Sequence, residues 1–360
     1  MSISFLVLED GSVFEGEAFG HICCTAGEVV FSTGMSGYQE SLTDPSVRGQ
    51  MLVMTYPLIG NYGAKDDYCR SECIHARALI VREYCKEPSP MYGGRTLDDV
   101  LKCSSVPGIS GIDTRELTIK IRTMGTLKGA VVDREEKIDD TIKGLGSTPL
   151  PSEQNLAGEV SVRRIEGHNF GKDTCIGILD CGGRDRLIKD LAERFNVVVF
   201  PYDTAADVIS DHKVKGLIVS DGPGNPSHPS ILKTTARTVA DLSTWMPVFG
   251  VGLGSQIVGA AMGGKTYKMK FGHHGSNQPV RCEGRVFITS QNHGFAMEAG
   301  SLEEKDMIAD QINVNDGTVE GFRHKDLPIF TSQYHPKVSP GQGDTSFLFD
   351  RFAKAVKEGR

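Results

Sequence analysis

Long apolar runs are absent from this sequence. No segment approaches the ~18 consecutive apolar residues that would span a bilayer, and residues 1–10 lack the basic stretch and apolar core of a signal peptide. The formal net charge is -7, which gives no summed positive field for nucleic acid or an acidic membrane. We therefore expect a cytoplasmic protein that has neither nucleic acid nor a membrane as its partner.

Paired cysteines are also lacking. The nine cysteines are odd in number and show no disulfide-framework spacing. Cys69 and Cys73 are four residues apart and Cys23 and Cys24 are adjacent, but no second Cys or His pair follows at the spacing of a zinc site. We expect free thiols and no metal site.

The chain length of 360 residues favours two or three domains. Residues 146–172 are polar, are interrupted by Gly, Ser and Pro, and sustain no apolar period. The sequence thus predicts a first domain over 1–150, a linker over 151–173 and a second domain over 174–360.

The two predicted domains differ in their patterns. In the first, a turn at 9–11 predicts a hairpin of 4–8 with 12–16, and Asp113 caps a helix predicted to reach Met124. Further strands are predicted at 28–32, 51–55 and 76–82. The second domain has short apolar runs, each followed by a helix-like stretch, at 175–179, 197–200, 216–220 and 248–251. We predict a strand-rich mixed α/β domain followed by an α/β domain with a largely parallel central sheet flanked by helices.

The turn after Val251 carries the strongest chemical signal. Glycines at 250, 252 and 254 are typical of the sharp strand-to-helix turn that exposes a nucleophile above a sheet. The residue at the nucleophile's position is Gly252, which has no side chain. A dinucleotide-binding interpretation fails because Ile257 stands where the third glycine is needed.

Two further segments follow predicted strands, where ligands of open parallel sheets lie. In loop 221–226, Gly222 and Gly224 let backbone N–H groups approach an oxyanion or carboxylate, although a plain turn fits equally well. His335 follows a strand-like run at 329–332 and is a candidate general base or a structural histidine. Lys337 stands where a carboxylate would orient the imidazole, and its charge would oppose an imidazolium.

Several motifs carry a family resemblance over essentially the whole chain, among them Lys268-Met269-Lys270-Phe271-Gly272-His273-His274-Gly275 and Ser290-Gln291-Asn292-His293-Gly294-Phe295-Ala296. Others are residues 6–11, 33–40, 42–46, 55–63 and 111–115. The second domain resembles a class I glutamine amidotransferase, and the whole chain is similar to the small subunits of carbamoyl phosphate synthetase.

The resemblance implies a Cys, His, Glu triad, which here reads Gly252, His335 and Lys337. Only the base is kept, and the family's histidine after the nucleophile is Ser255 here. The resemblance also implies a glutamine pocket whose residue types are all retained: Ser46, Gly222, Gly224, Leu253, Gln256, Asn292, Gly294 and Phe295.

In that family ammonia passes through a tunnel to a large subunit, which uses ATP and Mg²⁺ to make carbamoyl phosphate for pyrimidine and arginine synthesis. We therefore expect a non-hydrolytic subunit of a heterodimer that supports ammonia-dependent synthesis, with no cofactor in this chain. A stand-alone regulatory protein that binds glutamine or another amide is the alternative. A weaker alternative is a glutaminase whose nucleophile has moved to Ser255 or Cys181.

Overall fold

The computed structural model describes residues 2–90, 93–337 and 345–359. The chain divides into two compact units, Met1–Pro151 and Ser152–Arg360. All nine cysteines are free thiols. Among the helices of the described residues, none combines the length and the apolarity needed to cross a membrane.

The first unit is built on a closed barrel of seven strands in the order β1-β2-β8-β6-β4-β3-β9. Its strands are β1 (Ile3–Leu8), β2 (Val13–Gly20), β3 (Thr25–Ser32), β4 (Gln50–Met54), β5 (Leu58–Ile59), β6 (Ala78–Ile80), β7 (Glu83–Tyr84), β8 (Pro107–Ser110) and β9 (Leu127–Val132), of which β5 and β7 form a separate pair. Its helices are α1 (Tyr38–Leu42), α2 (Leu97–Cys103), α3 (Thr114–Met124) and α4 (Ile138–Leu145), with short 3-10 turns at Pro45–Val47, Asp66–Tyr68 and Glu135–Lys137.

The predicted hairpin and capped helix of this unit are confirmed. β1 and β2 pair antiparallel across the turn at 9–11. Asp113 caps α3 by accepting a hydrogen bond from the backbone N–H of Glu116, and the helix ends at Met124 as predicted because Gly125 follows with a positive φ. The closure of the strands into a barrel was not predicted, since single strands do not reveal it.

The second unit contains a ten-stranded sheet in the order β10-β12-β11-β13-β14-β19-β18-β16-β15-β17. Its strands are β10 (Glu166–His168), β11 (Cys175–Asp180), β12 (Asn196–Pro201), β13 (Leu217–Val219), β14 (Val248–Val251), β15 (Thr266–Cys282), β16 (Arg285–Met297), β17 (Met307–Asn313), β18 (Val319–His324) and β19 (Ile329–Ser332). Its helices are α5 (Leu156–Val160), α6 (Arg184–Leu191), α7 (Ala206–Asp211), α8 (Pro229–Ile231), α9 (Arg237–Leu242), α10 (Leu253–Ala261), α11 (Ala299–Glu303) and α12 (Phe347–Glu358), with a π-helical segment at Leu232–Ala236 joining α8 to α9. A 3-10 turn at Pro151–Glu153 lies at the junction of the units.

The parallel part of this sheet runs through β12, β11, β13, β14 and β19. Both of its faces are covered. Leu217 and Val219 of β13 belong to one apolar cluster, and Ile218 between them belongs to the other. This explains why these strands read as uninterrupted apolar runs.

Two expectations for this unit need revision. The other five strands pair antiparallel, so the sheet is mixed rather than largely parallel. Residues 152–173, expected to be a linker, lie in the second unit and include α5 and the edge strand β10. A polar residue there caps a helix instead of interrupting it: the side chain of Asn155 accepts from the backbone N–H of Gly158 at the start of α5.

Candidate functional site

The turn between β14 and α10 has the geometry expected from its glycines. Gly252 has φ +57° and ψ −121°, and its N–H donates to the Ser332 carbonyl at 2.8 Å. This left-handed φ is costly for a residue with a side chain. At Gly254, an added Cβ would lie 2.1 Å from the Val219 carbonyl oxygen, so glycine is needed where α10 packs against β13. The turn therefore presents residue 252 above the sheet, between strand and helix.

The carboxylate of Asp221 fills the space next to this turn. Its Oδ1 accepts a hydrogen bond from the Gly222 N–H at 2.7 Å and another from the Leu253 N–H at 2.9 Å. A Cβ built on Gly252 would lie only 2.1 Å from both Cγ and Oδ1 of Asp221. The sequence predicted that loop 221–226 could hold an oxyanion or carboxylate; the carboxylate that occupies it belongs to the chain itself.

His335 lies three residues after the end of β19 and packs against a buried acid that the sequence did not reveal. Its Nε2 is 3.7 Å from Oδ2 of Asp190, which is on α6. The backbone N–H of Lys337 approaches its Nδ1 at 3.4 Å. The ring therefore has a neighbour at each nitrogen, one from its own segment and one from a distant helix.

The charge of Lys337 is directed at the same acid. Its Nζ is 3.6 Å from Oδ1 of Asp190, and the Nε of Arg186 is 3.2 Å from Oδ2. Burial raises the pKa of Asp190, while Arg186 and Lys337 act in the opposite direction. The expectation that Lys337 would simply oppose a charged His335 thus needs correction, because Asp190 lies between the two charges. No pattern in the sequence indicates this contact, since Asp190 precedes Lys337 by 147 positions.

The predicted amide-pocket residues of the second unit lie on β16, α10 and the loop after β13. Gln256 links two of these segments: its Nε2 donates to the Phe295 carbonyl at 2.6 Å and to Oε1 of Gln333 at 2.8 Å. Ser46 belongs to the first unit, where its hydroxyl donates to Asp44 at 2.7 Å. Whether Ser46 joins the pocket stays a prediction, as do the glutamine-binding roles of Gly222, Gly224, Leu253, Gln256, Asn292, Gly294 and Phe295.

The two candidate replacement nucleophiles are both buried. Cys181 has no exposed surface, and burial raises the pKa of its thiol well above the usual range. Ser255 is 2% exposed. A thiol becomes a good nucleophile only as the thiolate, so Cys181 is held in its unreactive form.

A buried polar cluster lies on the antiparallel part of the sheet. His273, His293 and Glu320 offer ligand atoms within 4.8 Å of one another, so they are the described residues best placed to hold a metal ion. Both ring nitrogens of His273 already contact carboxylates, Glu320 at 3.1 Å and Asp316 at 2.9 Å. Although burial opposes its charge, these contacts raise the pKa of His273. Burial lowers the pKa of His293 to about 4. The geometry therefore describes an internally paired ionic cluster.

Comparison with known proteins gives matches over both units. Residues 6–131 match the carbamoyl-phosphate synthase small chain, CPSase domain, and residues 178–355 match the class-I glutamine amidotransferase family. The carbamoyl phosphate synthase small chain of Archaeoglobus fulgidus is 43% identical over 362 residues, which cover 99% of each chain. The pyrimidine-specific small chain of Bacillus subtilis is 42% identical, over 98% of this chain and 95% of its own. Among solved structures, a glutamine amidotransferase from Thermotoga maritima aligns with a TM-score of 0.37 at 14% identity, covering 53% of this chain and 84% of that one.

Proposed function

This chain belongs to the family of carbamoyl phosphate synthase small chains, and we propose that it serves a large subunit without hydrolysing glutamine itself. The names of the relatives, a small chain and a pyrimidine-specific small chain, do not indicate loss of glutamine hydrolysis, so family membership alone does not carry this proposal. The observation that carries it is at residue 252. The turn that should expose a nucleophile ends in a glycine, and the Asp221 carboxylate lies where a side chain would begin.

Glutamine hydrolysis by this type of site requires a thiolate that attacks the amide carbon and a base that takes the thiol proton and returns it to the leaving ammonia. Gly252 offers no atom for the attack. In a comparable serine protease, loss of the nucleophile lowers kcat by about a millionfold, and further triad losses add little. The retained His335 therefore cannot sustain hydrolysis, and the large subunit would draw on free ammonia.

The test is reconstitution of the wild-type chain with a large subunit of carbamoyl phosphate synthase, ATP, Mg²⁺ and bicarbonate. We expect carbamoyl phosphate to form with ammonium salts and not with glutamine above background. A matched complex with a small chain that retains cysteine at this turn provides the positive control for glutamine. A clear glutamine-supported rate with the wild-type chain would reject the proposal.

A second candidate is a stand-alone protein that binds glutamine without cleaving it. The retained pocket residue types favour it, and two of them, Gln256 and Phe295, are joined by a hydrogen bond. Affinity capture with the large subunit as bait separates the two candidates, because a stand-alone regulator would not be retained. Saturable glutamine binding together with failure to bind the large subunit would favour this second candidate.

A further inference from the structure

The backbone N–H groups of Gly222 and Leu253 converge on one oxygen, and we name this pair the oxyanion site. Two N–H donors from different segments that point at a single oxygen form the arrangement that stabilises a developing oxyanion in acyl transfer. The donors come from the loop after β13 and from the first residue of α10. In this chain the oxygen between them is Oδ1 of Asp221.

The placement of Asp221 is more than a local turn. The bond from the Gly222 N–H is local, but the bond from Leu253 spans 32 positions and joins the loop after β13 to α10. The start of α10 also favours a negative charge because the Leu253 N–H and the positive end of the helix dipole point at it. The main chain of Asp221 is fixed as well: its carbonyl accepts from the Gly183 N–H at 2.7 Å and from the Ser220 hydroxyl at 2.9 Å.

Gly252 and Asp221 are sterically matched. A side chain at 252 would begin 2.1 Å from the carboxylate, so the carboxylate can keep its position only while residue 252 is glycine. Glycine at residue 252, which leaves the turn without a nucleophile, is therefore also what makes room for the Asp221 carboxylate.

From these contacts we infer that the Asp221 carboxylate permanently occupies the oxyanion site. It thereby excludes the side-chain carbonyl oxygen of glutamine and the corresponding oxygen of related amides. The inference deepens the proposed function, on which it rests. A neutral amide oxygen would have to displace a carboxylate held by two charge-assisted hydrogen bonds, which are roughly twice as strong as neutral ones. The pocket residue types are thus retained, but Asp221 excludes the amide oxygen from the two N–H donors.

Calorimetric titration of the full-length chain with L-glutamine tests the inference. We expect Asp221→Ala to bind glutamine at least about tenfold more tightly than the wild type, since about 1.4 kcal/mol corresponds to tenfold. Asp221→Asn should fall between them, because it keeps the acceptor oxygen and loses the charge. Asp241→Ala, which removes an exposed acid on α9, is the matched control and should behave as the wild type.

Two results would overturn the inference. The first is equal glutamine affinity in the wild type and Asp221→Ala. The second is no glutamine binding by an Asp221 variant whose circular dichroism matches the wild type. If Asp221→Ala does not fold, Asp221→Asn carries the same comparison. Because the proposed function is tested with the unaltered complex, its failure shows as glutamine-supported synthesis, whereas failure here shows as unchanged affinity.

Discussion

The steric match between Gly252 and Asp221 predicts an energetic coupling that can be measured. Gly252→Ala places a methyl group 2.1 Å from the carboxylate, which must then leave its two N–H donors. The left-handed φ costs a side chain about 1–2 kcal/mol. Hydrogen bonds to a charged group contribute about 1.5–3 kcal/mol each. Loss of both should cost about 1–3 kcal/mol in total, because the displaced carboxylate, which is only partly buried, regains water. The expected destabilisation is therefore about 2–5 kcal/mol.

The same substitution should cost less once the carboxylate is gone. In an Asp221→Gly background the three closest contacts of a Cβ at residue 252 disappear, since Cβ, Cγ and Oδ1 of Asp221 are all removed. The backbone strain remains, so Gly252→Ala should cost about 1–2 kcal/mol there. The double-mutant cycle should return a coupling of about 1–3 kcal/mol, and any effect of the glycine at 221 on chain flexibility cancels within it.

Urea unfolding followed by tryptophan fluorescence suits this cycle. The chain has a single tryptophan, Trp245, which lies in the second unit and so reports on the unit that holds the turn. Gly167→Ala is the control, because a Cβ there meets nothing within 4 Å, and it should change stability by no more than about 0.5 kcal/mol. Equal costs of Gly252→Ala in the two backgrounds would refute the claim that Asp221 and residue 252 compete for space.

Introducing a thiol at residue 252 provides a second prediction. From the triad positions in the sequence alone, Gly252→Cys with Lys337→Glu should recover more glutaminase activity than Gly252→Cys. The structure leads us to expect both variants to stay near background until Asp221→Gly is added, which should raise ammonia release by about tenfold or more. Comparable rates with and without Asp221→Gly would contradict this. A third prediction concerns pH. Burial lowers the pKa of His293 from 6.5 to about 4 in the folded chain, so the unfolded chain takes up its proton first and stability falls as pH drops from about 6.5 to 4, by at most about 3 kcal/mol. His273, whose pKa is raised, acts in the opposite direction, but it is present in both the wild type and His293→Gln. Between pH 7 and pH 4.5 the urea midpoint of His293→Gln should therefore fall less steeply than that of the wild type. Parallel curves would rule out a buried neutral His293.

The parallel strands of the second unit could be predicted because burial on both faces leaves them apolar throughout, as in β13. The antiparallel half could not. β15 and β16 are 17 and 13 residues long and carry polar residues such as His273 and His293 toward a buried cluster. Register shifts between Lys268 and His273 and between Gly275 and Gln278 also break the alternation of sides. The period-two pattern is therefore interrupted along β15, and on β16 the alternating buried positions 289, 291 and 293 carry polar residues instead of apolar ones.

The turn at Gly252 was visible in sequence because each of its glycines answers a local demand, either a left-handed φ or a close approach of backbone. Asp221 and Asp190 were not, because their partners lie 32 and 147 positions away. An aspartate before a glycine is an ordinary turn residue until the distance from its carboxylate to residue 252 is known. The same distance affects what a substitution at the glycine could achieve: a thiol introduced at 252 would lack not only the orienting carboxylate that Lys337 replaces but also the space and the two N–H donors that its reaction needs. If the proposed function is correct, a working nucleophile at this turn requires removal of the Asp221 charge as well as addition of a thiol at residue 252.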